Sequence, residues 1–443
     1  MSRLPLAALA ALALLAPRPG AAQQAPAAPP PAAPARELLT LSDAVRLARE
    51  NQPQLRQARA GTLAATARAA EARSALFPQL GASAAYTRST TNVRSGYLPL
   101  AGTRDETLSL GASASQLLWD FGQTSGRWQA ARASAEAQRW SERAALLQAV
   151  LGARSAFFAA RAAHDLVKVA RETLANQEAH LRQIQGFVDV GRNPAIDLAQ
   201  ARTDRANAQV QLINAENGYD TAKAQLNLAM GVERSTDYDV ADDTLPPVEG
   251  EDGTTDELLP EALRARPDVA ALEQQRRSLE ATLSAVQGGY LPSLGVTGAV
   301  RNDGALPLAG AAWNWSATAT LNWNLFQGGL TGAQVEEARA NVTSADSQLA
   351  GLRQQVRLDV EQARLAVRAA KVARGAAGEA LVNARERLRL AEGRYQAGAG
   401  SVIELGDSQV ALTAAGAQSV QAEYNLSTAR AQLLRALGRI PSP

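Results

Sequence analysis

The sequence predicts a mostly α-helical chain with a small amount of membrane β-structure, built twice from one unit and contributing four strands to a shared barrel. Three observations predict this fold. Motifs recur at an offset of about half the chain, one segment alternates apolar and polar residues, and two runs of about sixty residues hold almost no Pro or Gly. With 443 residues and 46% hydrophobic content, the chain has apolar material for large buried surfaces and is not a disordered polymer.

The leader comes first. Met1-Ser2-Arg3 gives a short positive start, Leu4 to Pro17 form an Ala- and Leu-rich apolar run, and Gly20-Ala21-Ala22 offers the small residues that signal peptidase needs. Residues 1–22 are expected to be a Sec signal peptide. Residues 23–38 begin almost entirely as Ala and Pro, which favours an extended, solvated spacer. No later stretch reaches the roughly 20 uninterrupted apolar residues of a spanning helix.

The duplication follows. Pro53 and Pro78 are 25 residues apart, as are Pro267 and Pro292, and residues 77–81 (FPQLG) are answered by 291–295 (LPSLG) at an offset of 214. Three further pairs share an offset of 207: LWDFG at 118–122 with LFQGG at 325–329, GRNPAIDL at 191–198 with GAGSVIEL at 398–405, and LNLAMG at 226–231 with LLRALG at 433–438. A seven-residue indel between Pro78 and Gly122 accounts for the difference. The expected organisation is a first repeat at 39–231, an acidic inter-repeat segment at 232–256 and a second repeat at 257–443.

Each repeat then offers one β-hairpin. Trp313, Trp315, Ala317, Ala319, Leu321, Trp323 and Leu325 alternate with Asn314, Ser316, Thr318, Thr320, Asn322 and Asn324. One face is apolar with Trp at both ends and the other is small and polar. That suits a strand with lipid outside and water inside, with Trp313, Trp315 and Trp323 as interface aromatics; the competing reading is a soluble sandwich strand. Weaker alternation occurs at Leu294 to Val300, Leu80 to Tyr86 and Leu108 to Ala114. Four strands cannot close a barrel, and an open edge in a bilayer leaves backbone groups unsatisfied. Two chains would give eight strands with a filled interior and three would give twelve with a lumen, so a pore requires at least a trimer.

The remainder reads as helix. Runs of about sixty residues extend roughly 90 Å, far more than a globular domain needs. Val335, Val342, Leu349, Val356, Ala363 and Ala370 recur every seven, and the phase is expected to resume after a four-residue stutter at Leu381, Leu388 and Tyr395. Each long helix is broken once, by Gly191 with Pro194 and by Gly398 with Gly400, so each repeat holds a helical hairpin far from its strands. Just past the second turn, Glu404 and Asp407 sit three apart on one face. In a threefold assembly they make two carboxylate rings that favour cations. The alternative is an exposed acidic helix start stabilised by the macrodipole.

These residues together resemble the TolC-type outer membrane efflux proteins, or outer membrane factors. The resemblance covers nearly the whole mature chain: the duplication, the hairpin between long helices, the Phe77-Pro78 and Leu291-Pro292 strand entries, the 325–329 strand exit and the two Gly-containing turns. It implies a homotrimer whose twelve-stranded outer membrane barrel, four strands per chain, continues into a long periplasmic α-helical barrel. It implies further a passive exit duct of a tripartite efflux or type I secretion system in a Gram-negative bacterium, gated at the periplasmic tip. The partners it implies are a periplasmic adaptor (membrane fusion) protein, an inner membrane pump of RND, ABC or MFS type, and outer membrane lipid.

Site residues carry over position by position. The turns with Gly191, Arg192, Pro194, Gly398 and Gly400 would dock the adaptor. Glu404 and Asp407 would be the tunnel-facing acidic rings, and Tyr395 would bond to Asp197 in the closed state. The sequence departs from the family pattern at Gly400, where a basic residue can complete the closed gate, and at Glu404, where Asp is more familiar; Arg192 offers a cation in the other turn. Some members carry a lipid on an N-terminal cysteine, and with no cysteine here anchoring is expected to fall to the barrel. The acidic stretch from Glu233 to Glu257 reads either as the family's equatorial segment or as a solvated linker.

Other function classes fare poorly. Lys+Arg 45 against Asp+Glu 43 gives a net charge of +2, too little to recruit nucleic acid. Zero cysteines remove thiolate metal sites and cysteine nucleophiles. His164 and His180 lie roughly 24 Å apart on one expected helix, too far to share a metal or a proton. Gly398-Ala399-Gly400 lacks the third glycine and preceding strand of a dinucleotide loop. The expectation is a channel without cofactor or enzymatic activity, the alternative being a structural coiled-coil envelope protein without a pore.

Overall fold

A computed structural model describes residues 37–91, 94–95, 98–99, 103–192, 194–305 and 312–439. The expected signal peptide and all but the last two residues of the expected spacer lie outside them.

The first repeat starts with β1 (Glu37–Leu39), α1 (Leu41–Asn51) and α2 (Pro53–Ser74). Thr40 caps α1 by accepting the Asp43 amide at 3.1 Å, and Pro53 opens α2, where its missing N–H costs nothing. Strands β2 (Gln79–Thr91), β3 (Arg94–Ser95), β4 (Leu98–Pro99) and β5 (Thr103–Trp119) follow. Then come α3 (Gln123–Asp189), α4 (Ala195–Met230) and β6 (Tyr238–Val240). The second repeat holds α5 (Thr255–Ala265), α6 (Pro267–Gln287), β7 (Ser293–Ala305), β8 (Ala312–Asn322), α7 (Leu330–Gln396) and α8 (Val402–Ala436). The chain is mostly helical, and α3 and α7 each run 67 residues, about 100 Å of helix.

The main sheet is antiparallel in the order β2-β5-β7-β8, so β5 and β7 join the repeats and β2 and β8 are its edges. In register, Ala114 faces Gly298 and Gly111 faces Arg301, with an irregularity between Leu117 and Trp119. Strand β8 ends at Asn322, not at the Leu325 that the alternation suggested. Trp323 explains the early stop: its Nε1 donates to the Tyr290 carbonyl at 3.1 Å, turning the side chain towards the helix end. The backbone then swings through Gly328 (φ +61°) and Gly329 (φ +84°) into α7. The first repeat makes the same exit with Phe121 (φ +53°) and Gly122 (φ +90°), and Phe121 is a non-glycine residue in the left-handed region. Asp120 holds it there, its carboxylate accepting Gly122 N at 3.2 Å and Thr124 N at 2.6 Å.

Two shorter pairings lay outside the expected four strands. β3 pairs with β4, and β1 pairs in parallel with β6, Leu38 facing Asp239. The second pairing ties the inter-repeat segment to the first residues of the first repeat. Tyr238 is buried, donates to Lys223 O and lies 3.0 Å from Asn227 Oδ1, while the Tyr219 hydroxyl accepts Val240 N at 3.1 Å. Further on, Glu251 reaches both arms of the second hairpin, with Arg430 of α8 at 3.0 Å and Lys371 of α7 at 2.7 Å. This half of the inter-repeat segment is anchored, not a solvated linker.

Helix α3 packs on α2 and α6 in its first half, where Ser278 Oγ donates to Ala130 O, and on α4 and α8 in its second. Near the hairpin tips the in-chain order is α4-α3-α8-α7. The expected stutter in α7 is absent. Buried alanines continue the seven-residue row without a phase break through Ala377, Ala384 and Ala391, and Leu388 and Tyr395 belong to a second buried row beside it. Alanine supplies so little hydrophobic signal that the larger neighbouring row read as a change of phase.

Candidate functional site at the hairpin tips

The two interhelix turns use the same backbone solution. In the first, Gly191 takes φ +71° and Arg192 N donates to Phe187 O at 2.8 Å; in the second, Gly398 takes φ +77° and Ala399 N donates to Arg394 O at 2.9 Å. This is the six-to-one bond that closes a helix on a left-handed residue, which explains glycine at both positions. Pro194, at φ −73° and ψ 153°, then starts α4, and Ser401 caps α8 by accepting the Glu404 amide at 3.1 Å.

The turns also touch each other. The Arg192 guanidinium lies over the Phe187 ring at 4.9 Å and so close to Gly398 that a Cβ there would meet its Nη2 at 2.8 Å. Gly398 is thus favoured by its positive φ, whereas the Arg192 side chain could swing away from a Cβ there. Gly400 N donates to Arg394 O at 3.0 Å, so its backbone seals the turn.

Glu404 and Asp407 occupy the first two turns of α8. Arg394 Nε sits 3.5 Å from Glu404 Oε1, with the two side chains 61% and 41% exposed. A pair that open to water contributes at most about 1 kcal/mol, but it offsets the charge of one acidic position. Sequence spacing did not reveal Arg394 because the pairing crosses the turn. Asp407 lines a cleft of ≈ 700 Å³ between α4 and α8, together with Asp204, Gln200, Asn207, Ile403 and Val410.

Tyr395 is buried at the end of α7, packed with Ile184, Ala201, Leu388 and Leu405. His180 meets its ring edge-on at 5.6 Å and Phe187 lies at 6.0 Å. Asp197 sits in the first turn of α4, its amide donating to Pro194 O at 3.1 Å. Above this layer the hairpins are joined by polar contacts that no sequence motif marked. The Thr173 and Thr413 hydroxyls are 3.0 Å apart and Gln177 Nε2 donates to Gln409 Oε1 at 2.8 Å. Each lies about one helical turn from the next.

At the far end of the molecule, Trp313 and Trp315 open β8 and Trp323 follows its end, all exposed. Among the described residues no group of three or more His, Cys, Asp or Glu could hold a metal ion, and no helix is long and apolar enough to cross a membrane. His164 stacks on Tyr219 at 5.2 Å, far from His180.

Known proteins share this arrangement. The Escherichia coli (strain K12) outer membrane protein TolC is 25% identical over 418 residues, covering 89% of this chain and 81% of that protein. The outer membrane efflux protein BepC of Brucella suis biovar 1 (strain 1330) is 24% identical over 408 residues, covering 90% and 86%. Among solved structures, the Campylobacter jejuni CmeC outer membrane channel superposes with a TM-score of 0.79 at 18% identity, over 90% of this chain and 85% of that one. The open state of the Neisseria gonorrhoeae MtrE outer membrane channel gives 0.75 at 21% identity, over 90% and 89%. The outer membrane efflux protein profile matches residues 44–232 and 258–439, so the chain belongs to the outer membrane efflux protein family.

Proposed function

We propose that three copies of this chain form the outer membrane exit duct of a tripartite efflux or type I secretion system. The duct passively conducts substrates delivered by an inner membrane pump and is gated at the hairpin tips. As a family member the chain is an outer membrane efflux protein of a Gram-negative bacterium, and its long helices reach into the periplasm. The finer reading rests above all on the sheet. Its apolar face and its two open edges, β2 and β8, are tenable in lipid only if other copies continue the ladder, since each unsatisfied backbone group there costs several kcal/mol. Three copies give twelve strands and a lumen.

The helices support the same assembly. The outermost tip helices, α7 and α4, carry exposed apolar residues: Leu365 and Val382 on the one, Val210 and Leu228 on the other. Val210 and Val382 both lie about 22 Å from their tips, and Leu228 and Leu365 about 48 Å. Both outer helices thus offer apolar side chains over the same span of heights for a neighbour to cover. A periplasmic adaptor would dock at the Gly191–Pro194 and Gly398–Gly400 turns, Tyr395 and Asp197 would hold the closed tip, and Glu404 and Asp407 would ring the tunnel. Trp313, Trp315 and Trp323 would seat the barrel at the two lipid interfaces.

The test is planar-bilayer conductance of detergent-purified protein with its mass measured in parallel. A trimer with small, cation-selective openings supports the duct. A monomer or dimer that stays silent even after substitution at Tyr395 and Asp197 overturns it.

A further inference from the structure

The polar face of the sheet is uniform until its outer end. Towards the periplasmic side it shows uncharged groups such as Ser113, Thr297, Ser316, Thr318 and Thr320, among the described residues. Near the far end of β7 a charged pair interrupts it. Arg301 Nε lies 2.7 Å from Asp303 Oδ1, and Arg301 Nη2 lies 3.4 Å from Ser109 Oγ on β5. Both side chains remain well exposed, at 64% and 48%.

Register places this pair. Arg301 stands opposite Gly111 on one side and Asn314 on the other. Asn314 lies between Trp313 and Trp315, whose side chains leave by the opposite face. The charges therefore face away from lipid, at the level of the outer aromatic residues. Gly111 sets no side chain opposite Arg301, and a Cβ there would come 3.3 Å from Ser83 Oγ but only into ordinary contact, 4.0 Å, with Arg301 Cγ. The long side chain can lie along the wall beside Asp303 and Ser109.

We propose that Arg301 and Asp303 form a charge collar at the outer mouth of the duct and set its ion preference there. The proposal rests on the trimeric duct reading, which turns one pair into three around the lumen. Twelve strands about 4.8 Å apart at a tilt of about 40° make a backbone cylinder about 24 Å across, before side chains narrow it. The Debye length in physiological salt is about 8 Å, so wall charges are felt through much of that opening. With both members present the ring is neutral overall, because each guanidinium is matched by a carboxylate. Loss of Asp303 leaves three cations at the exit and loss of Arg301 leaves three anions. The intact pair keeps the mouth from opposing cargo of either sign that has already passed the acidic tip.

The test is the reversal potential of purified protein in planar bilayers under a potassium chloride gradient. The wild type is compared with Asp303→Asn, Arg301→Gln and the double variant, and trimer mass is checked for each. Asp303→Asn should shift the cation-to-anion permeability ratio towards anions and Arg301→Gln towards cations, each by about threefold, with the double variant back near wild type. Conducting trimers of both single variants that keep the wild-type ratio would overturn the collar. Protein that stays silent even after Tyr395→Phe with Asp197→Ala would instead sink the duct reading, so the two failures are distinguishable.

Discussion

His180 and Tyr395 meet edge to face, ring centroids 5.6 Å apart, although they belong to different helical hairpins. Nδ1 of His180 is buried and has no hydrogen-bond partner in the chain. Burial is the strongest influence on this imidazole and pulls its pKa below the ordinary value, while the Asp204 charge pulls weakly the other way. The unfolded imidazole binds its proton near pH 6.5 and the folded one only at lower pH. The tip is therefore fully stable above about pH 6.5 and loses stability as the pH falls below it. Amide exchange in the last turns of α3 and the first turns of α8, corrected for intrinsic rates, should accelerate between pH 7 and 5, and His180→Phe should flatten that dependence. His164 is also depressed by burial but lies elsewhere on α3, so the single substitution isolates the tip. Identical profiles for wild type and variant would clear His180 of any such role.

Single-channel conductance tests the proposed gate. Tyr395→Phe keeps the buried ring and its contacts with His180 and Phe187 but removes the hydroxyl, and Asp197→Ala removes the carboxylate expected to receive it. The double variant should conduct more than wild type with little loss of stability, since both polar partners go together and the ring stays packed. Unaltered conductance would take both residues out of the gate.

Arg394 would make the proposed acidic ring adjustable. Its pairing with Glu404 offsets part of the charge that Glu404 and Asp407 present. Arg394→Ala should raise cation preference, and Glu404→Ala with Asp407→Ala should lower it. Reversal potentials would decide, and two unchanged values would return Glu404 and Asp407 to the status of a stabilised helix start.

How far the sequence carried these conclusions differs by feature. The helix breaks at Gly191 and Gly398 were legible because a left-handed residue closing a helix demands glycine at one fixed place. The period of two was legible from Trp313 to Asn322 because successive side chains of β8 leave by opposite faces, one apolar and one polar. It misled at Trp323, whose indole bonds to a carbonyl 33 positions back in the chain. Long-range pairings escaped for the same reason: β1 with β6, Thr173 with Thr413 and Arg394 with Glu404 leave no local spacing. In α7 the unbroken alanine row was misread as a stutter, since burial of alanine carries little compositional signal.

Glu251 clamps the inter-repeat segment to both helices of the second hairpin. Burial by itself raises its pKa, yet Arg430 and Lys371 outweigh burial and hold the carboxyl below its ordinary value. Its contribution is thus present above about pH 4.3 and is lost as the pH falls through the depressed value. Its side chain is 4% exposed, so removing it strands Arg430, itself only 13% exposed. Glu251→Ala should cost about 3 kcal/mol at neutral pH, seen as a lower thermal midpoint by circular dichroism. A loss well under 1 kcal/mol would mean that water replaces the carboxylate freely.

The duplication can be tested through packing as well as motifs. Gly231 ends α4 at φ +70°, where a Cβ would lie 2.7 Å from Gln52 Cα, and Gly438 follows α8 at φ +70°, where a Cβ would lie 2.7 Å from Ala265 C. Both glycines meet the junction between two helices, α1 with α2 in one repeat and α5 with α6 in the other. Each is therefore needed twice, for a left-handed backbone and for backbone contact that no flexible side chain can relieve. Gly231→Ala and Gly438→Ala should each destabilise by about 1–3 kcal/mol, with losses that add in the double variant to within about 0.5 kcal/mol because the junctions share no partner. Equal single losses would establish that the two repeats use one joint twice. A tolerated alanine at either position would show that the helices there can part by a few tenths of an ångström, and the equivalence would fail at that joint.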